Sequence, residues 1–315
     1  MEKKLLRSTD LEVSKMCFGA LPLGPAQKNM PLNDGIEVIK YAFDSGINFI
    51  DTAEMYRTYD YIAPVIKNLD REDFVITSKS HAETYEEVVE HVENGLTKLG
   101  IEYFDIFHIH AARESEPFSK RKETLRALID LKVKGKIKNI GIATHYVEVV
   151  KRAAENENID VVFAIYNITG RGIVDGSRED MSLALKYAHD SGKAVYAMKP
   201  LAGGNLIDDI NEAFEFVLNK EFIDSIAVGM VAKEEVDLNL KIFAGEKITE
   251  DMKIEKEKKK LTILNKLCIK CLKCIETCPN YALSIVDDKV TVDHEKCILC
   301  GYCSPVCPQF CIRIT

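Results

Sequence analysis

Short β-branched runs alternate with amphipathic stretches along the first two thirds of the chain. Runs with period-two or fully apolar character predict strands at 13–18, 47–51, 74–78, 104–110, 137–143, 160–165, 194–198 and 223–228. Between them, apolar residues recur at helical spacing over 34–44, 84–99, 119–133, 146–155, 178–190, 208–218 and 233–243. Glycine closes several of these helices, as in Asp44-Ser45-Gly46 and Asp190-Ser191-Gly192, where a left-handed residue ends the last turn. Strands that alternate with helices imply a parallel sheet. Eight such units at this length imply a closed (β/α)8 barrel, with an open doubly wound sheet as the alternative. No GxGxxG follows the first strand, where the chain reads Gly19-Ala20-Leu21-Pro22-Leu23-Gly24.

The pattern changes near residue 250. Thr249 to Lys260 is charged and has neither proline nor glycine, which reads as a solvated helical connector over 249–264. It separates a barrel over 1–248 from a small α+β domain over 265–315. Length then changes little: 315 residues suit one large domain with an appendage. The N-terminus, MEKKLLRSTD, has no apolar core of a signal peptide, and no run is long and apolar enough to span a bilayer. The expected location is cytoplasmic, with no membrane partner. A net charge of −8 argues against nucleic acid as the main partner.

Cysteine placement carries the first chemistry. Residues 1–267 contain only Cys17, while the other nine of the ten cysteines lie from Cys268 onward. Without an export signal, crowded thiols are metal ligands more readily than disulfides. The tail reads Cys268-x2-Cys271-x2-Cys274-x3-Cys278-Pro279 and repeats as Cys297-x2-Cys300-x2-Cys303-x3-Cys307-Pro308. This is the ligand run of two-cluster bacterial ferredoxins, and the tail resembles that family over nearly its whole length. Three cysteines at short intervals wrap one cubane, and the fourth is carried to the other. One [4Fe–4S] cluster is therefore assigned to Cys268, Cys271, Cys274 and Cys307, and the second to Cys297, Cys300, Cys303 and Cys278. Structural zinc is the competing reading, although zinc sites usually pair two CxxC units rather than running three in series. Cys17 and Cys311 read as buried apolar residues.

The second chemistry lies at strand ends. Asp51 and Tyr56 leave the second strand, Lys79 ends the third and His110 ends the fourth. On a barrel, polar residues at the C-terminal strand ends read as catalytic. A phenol can protonate a developing alkoxide, an ammonium beside it is expected to lower its pKa, and a neutral imidazole can orient the carbonyl.

Asp51-Thr-Ala-x-x-Tyr56, Thr77-Ser78-Lys79 and Asp105-Ile-Phe-His-Ile-His110 resemble the aldo/keto reductase family over about residues 5–243. The resemblance implies a (β/α)8 barrel, a catalytic tetrad of Asp51, Tyr56, Lys79 and His110, and NADPH or NADH as hydride donor. It maps cofactor contacts onto Gly19, Asp51, Thr144, Asn167, Lys199, Pro200, Leu201, Gly203, Gly229, Lys233 and Asn239. Several positions depart from the family's pattern. Ala143 and Thr144 stand where it has a carboxamide-binding Ser-Asn pair, and Phe163 stands where it often has Gln. Glu235 aligns with its basic residue for the 2′-phosphate. Two functions follow from the sequence. One is a carbonyl-reducing oxidoreductase fused to an iron–sulfur domain, acting on a small carbonyl substrate with a redox partner protein for the tail. The other is an electron-transfer protein whose barrel is a docking or regulatory body. No flavin motif is found.

Overall fold

The computed structural model describes residues 1–113, 117–252, 260–304, 306–309 and 311–314. A short hairpin, β1 (Lys3–Leu5) and β2 (Glu12–Ser14), precedes the barrel. Eight parallel strands then close on themselves: β3 (Met16–Gly19), β4 (Phe49–Asp51), β5 (Val75–Ser80), β6 (Phe104–Ala112), β7 (Ile137–Thr144), β8 (Val161–Ile165), β9 (Ala194–Met198) and β10 (Ser225–Gly229). β10 pairs with β3 to shut the ring. The outer layer holds α1 (Leu32–Asp44), α2 (Tyr59–Ile66), α3 (Tyr85–Leu99), α4 (Pro117–Lys120), α5 (Lys122–Val133), α6 (Val147–Glu155), α7 (Arg178–Asp190), α8 (Ile210–Leu218) and α9 (Lys233–Phe243).

The caps explain several boundaries. Thr84 accepts the Glu87 backbone N–H at the start of α3, and Gly100 ends that helix at φ 68°. Ser177 and Asp180 form a reciprocal capping box before α7. The expected strands and helices recur here within a few residues, with two additions. The leading hairpin and α2 were not expected; α2 is one short apolar helix with Pro64 inside it. Among the described residues, no helix is long and apolar enough to cross a membrane.

The tail forms two small antiparallel pairs around α10 (Lys273–Thr277). β11 (Leu261–Ile263) pairs with β14 (Ile312–Ile314), and β12 (Leu283–Val286) pairs with β13 (Lys289–Val292). The second hairpin turns at Asp287 and Asp288, both at positive φ, a mirror-image turn that suits strand twist. The helical connector expected over 249–264 differs at its end, where Leu261–Ile263 is a strand. Its lysine-rich middle, 253–259, lies outside the described residues.

Candidate active site and cysteine cavities

β4 ends at Asp51, and one short turn, Glu54–Tyr56, carries Tyr56 over the barrel mouth. The neighbouring strands supply Lys79 and His110. The four side chains meet and are all buried. Lys79 Nζ donates to Asp51 Oδ2 and to the Thr52 carbonyl, each at 2.6 Å. The same ammonium sits 5.1 Å from the centres of both the Tyr56 and Phe163 rings. Tyr56 Oη lies 3.4 Å from His110 Nε2. Burial pushes the Asp51 carboxyl up and the Lys79 ammonium down, and their short contact holds both charges against that pressure.

Tyr56 departs from expectation. Lysine was expected to lower its pKa. Burial instead pushes the phenol well above its usual value, and the Tyr302 phenol and the Asp51 charge add to the rise. The phenol is therefore a held proton at neutral pH rather than a phenolate.

Two further residues join the site without a signal in the sequence. Tyr196, on β9, donates to Asp51 Oδ1 at 3.2 Å, lies 2.8 Å from His108 Nε2, and stacks on Phe163 at 4.0 Å. Its run, Ala194-Val195-Tyr196-Ala197-Met198, looks like plain core strand. Tyr302 comes from the tail, and its Oη lies 3.2 Å from Tyr56 Oη and 3.1 Å from His110 Nε2. Nothing in Cys300-Gly301-Tyr302-Cys303 signals that reach. His81, whose role the sequence left open, packs its ring 4.0 Å from that of His110. His108, read as a core histidine, is buried against Tyr196 and Phe163.

The histidines set an acid limit on stability. Burial lowers the pKa of His108, His110 and His145 well below the usual value and that of His81 to about 3. The unfolded chain protonates these rings below pH ~6.5, while the folded chain holds them neutral. The unfolded state thus binds more protons across that window, so stability rises with pH from about 3 to 6.5 and is lost on acidification. The raised Asp51 and Asp105 carboxyls act in the opposite sense but number fewer. The thermal midpoint is expected to fall from pH 7 to 5, and His81→Gln should shrink that fall. Equal falls for both proteins would remove His81 from the effect.

The proposed dinucleotide contacts divide into two groups. Gly19 and Gly229 face each other across the β3–β10 pair, Lys233 opens α9, and Asn239 is buried on that helix. These suit the phosphate and adenosine end, at the amino terminus of a helix. The carboxamide end is less prepared. Thr144 Oγ1 donates to the Ala112 carbonyl at 2.7 Å, and Asn167 spends its amide on Thr169 and Arg171. Lys199, Pro200 and Leu201 follow β9, with Lys199 half-buried at φ 58°. Gly203 is covered: a Cβ there would lie 2.0 Å from the Ile298 carbonyl oxygen of the tail. Glu235 is not turned toward a ligand. It is buried, and its Oε2 accepts the Val231 N–H at 2.7 Å. Lys233 Nζ pairs with Glu37 at 3.2 Å.

In the tail, Cys268, Cys271, Cys274 and Cys307 line one cavity, and Cys278, Cys297, Cys300 and Cys303 line another. Each holds about 350 Å³ of space, part of it open to solvent. Burial raises the pKa of Cys297, Cys300 and Cys303, and Cys278 adds to the rise at each. Backbone N–H groups of Lys270 and Ala282 point at Cys268 and Cys278 sulfurs at 3.4 and 3.3 Å. Among the described residues, no three side chains converge as ligands of a single metal ion. Sulfurs spread around a cavity suit a cubane better than zinc. Cys17 is buried in the barrel core, as a small apolar residue would be. Cys311 is not simply an apolar core residue: it lines the first cavity, with its Sγ 3.3 Å from that of Cys307.

The aldo/keto reductase family matches residues 15–214, and a 4Fe–4S dicluster domain matches residues 260–308. The chain is 33% identical over 184 residues to probable aldo-keto reductase 1 of Glycine max, covering 53% of this chain and 52% of that protein. It is 29% identical over 240 residues to the NADH-specific methylglyoxal reductase of Escherichia coli, covering 68% and 72%. It spans about half the length of the first relative. Among solved structures, an aldo-keto reductase from Bacillus halodurans in its holo form superposes with TM-score 0.65 at 20% identity, covering 80% of this chain and 94% of that one. That likeness speaks for the fold alone.

Proposed function

This chain belongs to the aldo/keto reductase family and carries a 4Fe–4S dicluster domain. We propose that it reduces a small carbonyl compound to an alcohol. The convergence of Asp51, Tyr56, Lys79 and His110 carries this reading. A point within hydrogen-bond reach of both Tyr56 Oη and His110 Nε2, which are 3.4 Å apart, suits a carbonyl oxygen. A nicotinamide dinucleotide supplies hydride when bound. Tyr56 then holds the proton that the forming alkoxide needs, and its high pKa keeps that proton in place until oxygen becomes the stronger base. His110, kept neutral by burial, orients the oxygen. Lys79, neutralised by Asp51, keeps a cation beside the phenol ring.

NADH is the better fit of the two cofactors. Glu235 stands where the family has a cation and spends its carboxylate on the loop backbone, while Lys233 is tied to Glu37. The two cysteine sets would hold [4Fe–4S] clusters, which supply one-electron transfer and call for a redox partner protein. A cytoplasmic location agrees with ferredoxin-type thiols. The test is anaerobic turnover of the full chain with methylglyoxal and deuterated NADH, for both the wild type and Tyr302→Ala. Deuterium in the alcohol carbon is expected, and its absence from the product of both proteins would sink the reading.

One observation favours the second reading, an electron-transfer protein with the barrel as docking body: Asn167 is engaged by its own loop and Thr144 by the end of the neighbouring strand. A fluorescence titration with NADH separates the two, since that reading requires no binding.

A further inference from the structure

The tail sits on the barrel mouth. Ile298 is buried in the barrel's own core cluster. Gln27 Nε2 donates to the Leu299 carbonyl at 3.2 Å, and Arg171 Nη2 donates to the His294 and Cys297 carbonyls at 2.6 and 3.2 Å. Gly301, at φ 79°, brings its backbone so close to Ala26 that a Cβ would lie 2.5 Å from the Ala26 carbonyl oxygen. These contacts deliver Tyr302, 3% exposed, into the catalytic cluster with Ala53 and Tyr56. Its hydroxyl then takes both groups that a carbonyl oxygen would use, at 3.2 and 3.1 Å. Two oxygens cannot share that point, because each needs the same partners at hydrogen-bond distance.

We propose that Tyr302 is an internal competitor for the carbonyl-oxygen site, so that the docked tail closes the enzyme and substrate enters only when the tail lifts. The inference rests on the carbonyl-reduction reading. Tyr302 lies between Cys300 and Cys303, which line the second cysteine cavity, so the seat of the phenol is tied to the shape of that cavity. Opening withdraws Ile298 from the barrel's core cluster and Tyr302 from its seat beside Tyr56. Among the described residues, the barrel side chains that grip the tail include Gln27, Arg113 and Arg171, on tail carbonyls, and Tyr146, whose hydroxyl lies 3.3 Å from that of Tyr281. Substrate and tail thus compete for one site, and a partner that pulls on the tail would act as an activator.

The test uses the full chain, prepared anaerobically, with 4-nitrobenzaldehyde as the probe. Its affinity is read by calorimetry, and KM and kcat by NADH oxidation. Tyr302→Ala should bind the aldehyde at least ten-fold tighter than the wild type and lower KM in parallel. Tyr302→Phe, which removes only the hydroxyl, should lie between. Iron content checks that the tail remains assembled. Arg171→Ala, which loosens the dock and leaves Tyr302 untouched, should also tighten aldehyde binding. Adding the aldehyde to wild type should speed hydrogen exchange across residues 298–303. Unchanged or weaker affinity in Tyr302→Phe and Arg171→Ala would overturn the proposal. Tighter binding without NADH oxidation in any variant would leave the competitor standing and remove the reductase reading.

Discussion

Tyr56→Phe is expected to lower kcat for aldehyde reduction by about 10² to 10⁴-fold, the usual worth of a positioned general acid. The aldehyde's Kd should move far less. The substitution removes one hydroxyl and leaves the ring against Lys79 and the barrel wall. It also removes one of the two partners of Tyr302 Oη, which weakens the tail's seat and so offsets part of the lost ground-state contact. The cleanest measurement is therefore made in the Tyr302→Ala background, where the competing phenol is gone. Single-turnover rates there should fall by the full factor. Turnover in the double variant within about ten-fold of its parent would exclude Tyr56 as the proton donor, since a single lost acid costs more than that. Lys79→Met is expected to be as damaging for a different reason. It leaves the buried Asp51 carboxylate without its 2.6 Å partner, and an uncompensated buried charge costs about 3–5 kcal/mol. The loss of stability that accompanies the loss of rate distinguishes it from Tyr56→Phe.

The architecture was legible because a parallel barrel leaves a periodic trace. Most strands are buried on both faces and read as short apolar runs, as in Val161-Val162-Phe163-Ala164-Ile165. Each helix shows one apolar face, as α6 does with Val149, Val150 and Ala153. The meeting of Asp51, Tyr56, Lys79 and His110 was legible because three of them sit at or near strand ends, where polar residues interrupt apolar runs, and Tyr56 follows one turn later. What escaped the sequence depends on contacts between distant segments. Tyr302 reaches Tyr56 across 246 positions, and no local pattern encodes that contact. Tyr196 looks like packing until Asp51 and His108 are seen on its hydroxyl. The raised pKa of Tyr56 was missed for a related reason. Lysine adjacency suggests a lowered value, but burial raises it and the Tyr302 phenol adds to the rise, and no motif reports either. Glu235 lies in the first turn of α9, and its side chain turns inward because the Val231 N–H needs a partner.

Cys278→Ala is expected to cost the chain the cluster of the other motif. Cys278 follows Cys274 by only four residues, and local chemistry alone would pair it with Cys268 and Cys271. The chain carries it instead through a turn, with its sulfur receiving the Ala282 N–H at 3.3 Å, into the cavity lined by Cys297, Cys300 and Cys303. Iron should therefore fall from about eight to about four per chain, the content of one four-iron cluster. The remaining spectrum should belong to the Cys268, Cys271, Cys274 and Cys307 set. The same substitution reaches the barrel. Segment 297–303 lines that cavity from Cys297 to Cys303 and sends Tyr302 from its midst into the active site. Loss of the ligand should relax the segment, unseat the phenol and tighten aldehyde binding, as Tyr302→Ala does. Cys307→Ala is the control, because it lines the other cavity, which Tyr302 does not adjoin in sequence, and should leave aldehyde affinity unchanged. In that control Cys311, whose Sγ lies 3.3 Å from that of Cys307, is placed to take the vacated position, so iron should fall by less than half. If Cys278→Ala bleached only the Cys268 set, ligation would be uncrossed. If both variants changed aldehyde binding alike, the seat of Tyr302 would depend on the whole tail rather than on the cavity beside it.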